Sequence, residues 1–244
     1  MIDTAVILAA GMGTRLSSEL SDCPKGFLKL GEQPIIEESI GLLAAAGIGK
    51  VVIVTGHCDE RYRELAAQDS RVQLVHNREY AVSGSMYSLY CARDAVRGDF
   101  LLLESDLIYE PRALSVLLAH PDEDAVLLSG ATEAGDEVYV SAPHGRLQSM
   151  SKDPASLDYP VTGELVGISK ISDELYDLML CLASKAFEKT LKVDYETDCL
   201  VSAARERSIS CPLVPDLVWA EIDDPAHLQR ARERIYPEIQ RRID

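Results

Sequence analysis

Leu8-Ala9-Ala10-Gly11-Met12-Gly13-Thr14-Arg15-Leu16 grows directly out of the apolar run Ala5–Ala10 near the N-terminus. A buried strand that runs straight into closely spaced glycines lets the backbone bend tightly and bring its N–H groups close to an anion. The segment therefore reads as a phosphate-cradling loop. It is not a dinucleotide fingerprint, because Leu16 stands where a third glycine belongs and no suitable acid ends the second strand. No G-x-x-x-x-G-K-[ST] loop occurs anywhere in the chain, so the segment belongs to another way of holding triphosphates.

Outward from this loop, Val51–Thr55, Val72–His76 and Phe100–Glu104 repeat the short apolar pattern, with helix-length amphipathic stretches between them. One helix is expected after Pro34, with Glu37 and Glu38 near its positive end and Gly47 as its stop; another begins near Ser85. Such alternation indicates a parallel sheet with crossover helices. Past residue 120 the rhythm changes. Ala125–Gly130, Glu137–Ala142, Arg146–Met150 and Leu165–Lys170 read as strands without helical spacers, which predicts a mixed sheet or an antiparallel lid. A helical stretch over 173–204, interrupted near Val193–Tyr195, and a strand over Leu217–Ile222 follow, and Asp224-Pro225 starts the last helix.

The chain has 244 residues and a formal net charge of −16, which argues against a nucleic-acid footprint because that needs a basic stripe. Any phosphate must then be held by local cations, and Arg15, Lys25 and Lys152 each sit beside a glycine-rich or turn-like segment. Six cysteines (Cys23, Cys58, Cys91, Cys181, Cys199 and Cys211) form no C-x-x-C pair, and no apolar run approaches membrane-spanning length. A reduced cytoplasmic protein with no membrane insertion is the expectation.

Phe100-Leu101-Leu102-Leu103-Glu104-Ser105-Asp106 is an apolar strand ending in acid, and ligands of open α/β sheets gather at the carboxyl ends of strands. Trp219-Ala220-Glu221-Ile222-Asp223 ends the same way, and the two-residue spacing sets Glu221 and Asp223 on one face. Asp106 and Asp223 are thus candidate ligands for Mg²⁺, a hard cation that binds oxygen together with substrate phosphates. Asp224, next to Pro225, is the better helix cap and leaves Asp223 free. The histidines form no H-x-H or H-E-x-x-H pattern and no G-x-S-x-G elbow accompanies them, so hydrolase chemistry is unsupported. Ser83-Gly84-Ser85, small and backbone-exposing, is a candidate base contact.

Together the glycine loop, Pro24-Lys25, the strand-end Asp106 and the late Glu221-Ile222-Asp223 resemble the nucleotidyltransferases of the sugar-phosphate and phosphocholine type, over nearly the whole chain. The stretches Ser83–Tyr90, Leu103–Leu107 and Trp219–Asp223 look most like the CTP-dependent phosphocholine and 2-aminoethylphosphonate cytidylyltransferases. Hexose-1-phosphate enzymes usually carry Gly-Asp where this chain has Ser105-Asp106, and Glu-Lys-Pro where it has Ser151-Lys152-Asp153.

The resemblance implies a Rossmann-like three-layer α/β/α fold with a mixed, mainly parallel central sheet and a small antiparallel lid. It implies one domain over 1–244, with a nucleotide-binding half to about residue 120 and an acceptor-binding half after it. Leu8, Ala9, Ala10 and Gly11 would contact base and ribose, with Ser83, Gly84, Ser85, Ser88 and Ser105 completing the nucleotide set. Gly13, Thr14, Arg15 and Lys25 would hold the triphosphate, Asp106 and Asp223 the Mg²⁺, and Lys152 the acceptor phosphate. Arg15, Lys25 and Lys152 are then the catalytic cations. A cationic amine on the acceptor would call on Glu137, Tyr139, Glu164, Tyr195, Glu196 and Glu221. Departures fall at Ser17-Ser18, where a proline is frequent, and at Gly84-Ser85, where phosphocholine enzymes often show paired asparagines. The second departure ranks 2-aminoethylphosphonate ahead of phosphocholine as acceptor. The partners implied are CTP and a small phosphonate or phosphate; a homodimer is compatible with the sequence. The rival readings are a sugar-1-phosphate nucleotidyltransferase using another triphosphate and a non-catalytic nucleotide-binding domain.

Overall fold

A computed structural model describes residues 2–16 and 23–243; Ser17-Ser18 lies outside them. In chain order the main elements are β1 (Thr4–Ala9), α1 (Ile35–Ala45), β2 (Lys50–Thr55), α2 (Glu60–Gln68), β3 (Val72–His76), α3 (Ser85–Cys91), β4 (Phe100–Glu104), β5 (Leu107–Tyr109) and α4 (Arg112–Ala119). The second half adds β6 (Ala125–Ser129), β7 (Tyr139–Ser141), β8 (Ser149–Ser151), β9 (Gly163–Ile171), α5 (Asp173–Phe187), α6 (Val201–Ala203), β10 (Leu213–Val214), β11 (Trp219–Glu221), α7 (Pro225–Arg230) and α8 (Tyr236–Ile243). The strand order is β10-β6-β9-β4-β1-β2-β3. β1 pairs in parallel with β2 and β4, and β9 runs antiparallel between β4 and β6, so the sheet is mixed and mainly parallel.

Strand alternation divides the core into two layers, one on each face of the sheet. Val6 and Leu8 pack with Met86 and Leu89 of α3 and Leu175 and Met179 of α5. Ala5, Ile7 and Ala9 pack the other way, with Ile36, Ile40 and Leu43 of α1 and Leu114 and Leu117 of α4. The helices begin and end where local chemistry directs. Asp224 caps α7 by accepting the His227 N–H at 2.9 Å, Ser172 caps α5 by accepting that of Leu175 at 3.1 Å, and Gly47 ends α1 with φ +93°.

From β1 the chain winds outward through β2 and β3, then returns to β4 on the opposite side of β1. This reversal opens a crevice at the carboxyl end of β1, where the glycine loop emerges and where β4 delivers Asp106.

The antiparallel additions are smaller than expected and partly elsewhere. The strand predicted over Arg146–Met150 forms only at Ser149–Ser151, pairing with β7, which itself joins β9. The helical stretch expected over 173–204 forms with its interruption: α5 ends at Phe187, Leu191 and Val193 turn their carbonyls onto the N–H groups of Gly84 and Met86, and helical backbone resumes over Tyr195–Ala203. β5 and β10 are not anticipated. β5 pairs with β11, far away in sequence, matching Ile108 to Ala220, and the Ile222 N–H continues the contact to the Asp106 carbonyl at 3.1 Å. That short ribbon brings the two acidic strand ends together. Among the described residues no helix is long and apolar enough to cross a membrane.

Gly167 sits in β9 beside the register shift between Val126 and Leu128, with φ +78°, and a Cβ there would lie 3.1 Å from Leu107 of β5. Gly167→Ala is expected to lower unfolding free energy by roughly 1–2 kcal/mol, read by urea titration; an unchanged midpoint would show that β9 relaxes freely.

Candidate active site

The crevice at the end of β1 is a cleft of 350 Å³ lined by Leu8, Ala9, Ala10, Gly11, Gly13, Arg15 and Lys25 together with Ser83, Gly84, Ser85, Ser88, Ser105 and Asp106. Lys152, Glu196, Glu221 and Asp223 also line it, and Lys152, Glu196 and Glu221 are shared with a smaller adjoining pocket of 80 Å³. A groove of 430 Å³ between α1 and α8 is larger, but its lining holds no Lys or Arg. Another groove of 480 Å³ carries Arg230, Arg234 and Arg241 but neither the glycine loop nor the strand-end aspartates, and it is their meeting with Lys25 that singles out the cleft.

Gly13 has φ +61°, a conformation that favours glycine, and its carbonyl accepts the Leu16 N–H to close a 3₁₀ turn over Thr14–Leu16. The turn projects Arg15, which is 56% exposed along its side chain yet reaches Asp223 at 2.8 Å and Asp136 at 3.9 Å. Pro24 leads into a second 3₁₀ turn, Lys25–Phe27. At Gly26 a Cβ would lie 2.8 Å from the Tyr62 hydroxyl oxygen and 3.2 Å from the Ser105 carbonyl. Only a glycine lets this turn press against the Ser105-Asp106 backbone, and that approach carries Lys25 into the cleft.

The Lys25 ammonium donates to Asp106 Oδ2 at 2.8 Å and, by a shorter contact, to Asp223 Oδ1. Burial alone would lower the Lys25 pKa, but the two aspartates overcome it and hold the ammonium well above its ordinary range. Burial likewise raises Asp223, and Lys25 with Arg15 reverses the sign, keeping its carboxylate ionised below the usual range.

Deeper carboxylates behave oppositely. Oxygens of Glu104, Asp106 and Glu221 lie within 4.8 Å of one another. Burial, aided by repulsion from Asp106 and Asp223, pushes Glu221 up to about 8. Burial also raises Glu104, with Glu196 and Glu221 adding to it, and lifts Glu196 to about 7 although Ser85 donates to it at 3.3 Å. The site thus holds two kinds of acid: Asp223, kept ionised by its cations, and glutamates in want of a counter-charge.

Not every expected residue lines the site. Thr14, Tyr139, Glu164 and Tyr195 border neither pocket. Tyr139 turns its hydroxyl to Glu137, Glu164 is buried accepting the Thr132 N–H, and Tyr195 is fully buried beside Glu104, which its length and aromatic bulk favour over the surface. Glu137 does line the smaller pocket. Gly84 has a reason that base contact did not supply: a Cβ there would lie 2.4 Å from the Val193 carbonyl oxygen. Glu104, Tyr62, Tyr80, Asp194 and Asp136 border the two pockets unanticipated. Asn77 was missed as well; buried, it donates to Ser83 and Ser88, both at 3.0 Å, and fixes the loop before α3. Glu104 carried a legible signal, the same two-residue spacing to Asp106 that links Glu221 to Asp223.

Because the Glu196 pKa is raised on folding, between about 4.5 and about 7 the unfolded chain loses a proton that the folded chain keeps, so this residue lowers stability as pH rises. Glu196→Gln is expected to raise the ligand-free Tm by about 3 °C at pH 8 and to change it little at pH 5, by calorimetry. Equal shifts at both pH values would contradict the assignment.

Comparison with known proteins agrees with this geometry. The model of the MobA-like NTP transferase domain matches residues 5–158, a span that holds the glycine loop, Lys25, Asp106 and Lys152. The chain is 30% identical over 244 aligned residues to the CMP-5'-(3-aminopropyl)phosphonate synthase of Streptomyces rubellomurinus, covering 96% of this chain and 39% of that protein. It is 33% identical over 115 residues to the 2-aminoethylphosphonate cytidylyltransferase of Lancefieldella rimae, covering 44% of this chain and 47% of the relative. In both cases the match spans less than half of the relative's own length. The inositol-1-phosphate CTP transferase from T. maritima shares the fold, with a TM-score of 0.83 at 21% identity over 99% of this chain and 96% of that one. A glycine loop at the sheet's switch point, opposed by strand-end acids and matched across 5–158, makes this chain a member of the MobA-like NTP transferase domain family.

Proposed function

We propose that the protein is a cytidylyltransferase that joins CMP from CTP to a small amino-alkyl phosphonate or phosphate, 2-aminoethylphosphonate before phosphocholine, and releases pyrophosphate. The observation that carries this reading is the Lys25 ammonium held between Asp106 and Asp223 beside a backbone phosphate loop. Two of the relatives named above are a CMP-5'-(3-aminopropyl)phosphonate synthase and a 2-aminoethylphosphonate cytidylyltransferase, and the acid-rich pocket beyond Lys152 suits an aminoalkylphosphonate acceptor. We read 1–244 as one domain, with nucleotide on the β1 side and acceptor on the β9–β11 side.

An ammonium already bridging two aspartates marks a point where a cation fits, and the all-oxygen donor set suits Mg²⁺. Held by Asp106 and Asp223, Mg²⁺ would supply charge neutralisation for the reacting phosphate groups. The remaining work falls to positioning by the chain itself. The glycine-loop N–H groups, Arg15 and Lys25 offset the charge of the departing pyrophosphate. Lys152, on the border of both pockets, holds the acceptor phosphonate so that one of its oxygens attacks the α-phosphorus in line. That oxygen is already anionic, so no general base is required. The new P–O bond forms as the bond to the pyrophosphate oxygen breaks.

The smaller pocket sets five carboxylates (Glu104, Asp136, Glu137, Glu196 and Glu221) against two cations, Lys152 and Arg230. An acceptor with an anionic head for Lys152 and an ammonium tail supplies the positive charge that these buried acids lack when ionised, whereas the neutral body of a sugar 1-phosphate does not.

With CTP, Mg²⁺ and 2-aminoethylphosphonate the protein is expected to release pyrophosphate; release only with hexose 1-phosphates, or only with another triphosphate, would overturn the substrate reading. Asp106→Asn and Asp223→Asn are each expected to cut kcat by about a hundredfold or more while the protein stays folded by circular dichroism. Near-normal rates in either variant would remove that residue from the cation site.

A further inference from the structure

Between β6 and β7 the chain runs through residues 130–138 without regular structure, yet this loop supplies Thr132, Ala134, Asp136, Glu137 and Val138 to the smaller pocket. A loop with no ladder of its own must be held by side chains from elsewhere. Glu164 of β9 accepts the Thr132 N–H at 2.9 Å. The Leu165 N–H of β9 donates to the Val138 carbonyl at 2.9 Å, and two further holds come from α7: Arg230 donates to the Thr132 carbonyl at 2.8 Å, and His227, one turn earlier on the same helix face, meets the Ala134 carbonyl through Nε2 at 3.2 Å.

His227 lines neither pocket and is only 6% exposed, so it cannot touch nucleotide or acceptor directly. A carbonyl only accepts, so Nε2 carries the proton; the same atom lies 3.5 Å from Asp136 Oδ1. Among the described residues Nδ1 is buried without a partner, so none of them competes on the opposite edge of the ring for its orientation. The backbone N–H of His227 donates to Asp224 Oδ1 at 2.9 Å, and Asp224 is the residue after Asp223. One helical turn thus joins the cation site to the acceptor loop.

We propose that His227 is a positioning residue for the acceptor, setting the loop 130–138 so that Asp136 and Glu137 face the aminoalkyl phosphonate or phosphate; this rests on the function proposed above. The effect falls on the acceptor side. The loop also meets the nucleotide side, through Asp136 against the Asp223 carboxyl and, at 3.9 Å, against the mostly exposed Arg15, but Asp223 is held independently of the loop by Lys25 and by Arg15 at 2.8 Å, so the nucleotide side keeps its own anchors.

Steady-state kinetics of His227→Ala and His227→Gln with CTP and 2-aminoethylphosphonate, paired with amide exchange of the ligand-free proteins, tests this. His227→Ala is expected to raise KM for the acceptor about tenfold, leave KM for CTP and kcat within about twofold, and quicken exchange over 131–138. Gln offers an N–H at the reach of Nε2 and is expected to restore both readouts. Equal rises in both KM values, a fall in kcat alone, unchanged exchange, or failure of Gln to rescue would each overturn the inference while the proposed function stands. Absence of turnover by the unmodified protein with every amino-alkyl acceptor would overturn the function, and this inference with it.

Discussion

The ammonium of Lys25, clasped by Asp106 and Asp223, is the contact on which the rest of the cleft depends. The fold forces acids together: β4 ends in Glu104 and Asp106, β11 in Glu221 and Asp223, and the β5–β11 ribbon sets the two ends side by side. Like charges a few ångströms apart cost about 4 kcal/mol per pair at an effective dielectric near 20. Lys25 offsets part of this at the aspartates, and the deeper glutamates respond to burial by resisting ionisation. A site built this way has a standing demand for cations, which is the physical reason to expect an ion and an amine there.

Delivery of Lys25 is itself a packing problem. Gly26 must lie flat against the Tyr62 hydroxyl and the Ser105 backbone, and Pro24 fixes the approach. The nucleotide side is prepared similarly: Asn77 ties Ser83 to Ser88, and the turn at Leu191–Val193 seats Gly84. Small residues around the cleft therefore serve close backbone approach at least as much as open space for a ligand.

How much of this was legible in the sequence depended on range. β1, β2, β4 and α1 were readable because burial on both faces writes a continuous apolar run and because proline and glycine punctuate the helix, while the half-exposed edge strand β3 was marked by its β-branched and apolar residues. β5 and β10 were not, since two or three residues carry no period and their partners lie far along the chain. The strand-end aspartates were found from position, but their convergence came from the unreadable ribbon. Tyr139, Glu164 and Tyr195 were chosen by residue type in the acceptor half, where type alone cannot separate a buried, satisfied side chain from one that faces a ligand. Asn77 and His227 act through hydrogen bonds to loops, and nothing local in the sequence announces such a role.

Removing Lys25 tests the cation site most directly. Lys25→Met keeps the stem but leaves Asp106 and Asp223 facing each other without their shared counter-charge, which is expected to lower unfolding free energy by about 3 kcal/mol. Millimolar Mg²⁺ added without nucleotide, followed by urea unfolding, is expected to restore much of that loss while scarcely altering the unmodified protein. Equal insensitivity of both proteins to Mg²⁺ would contradict a cation site between these two aspartates.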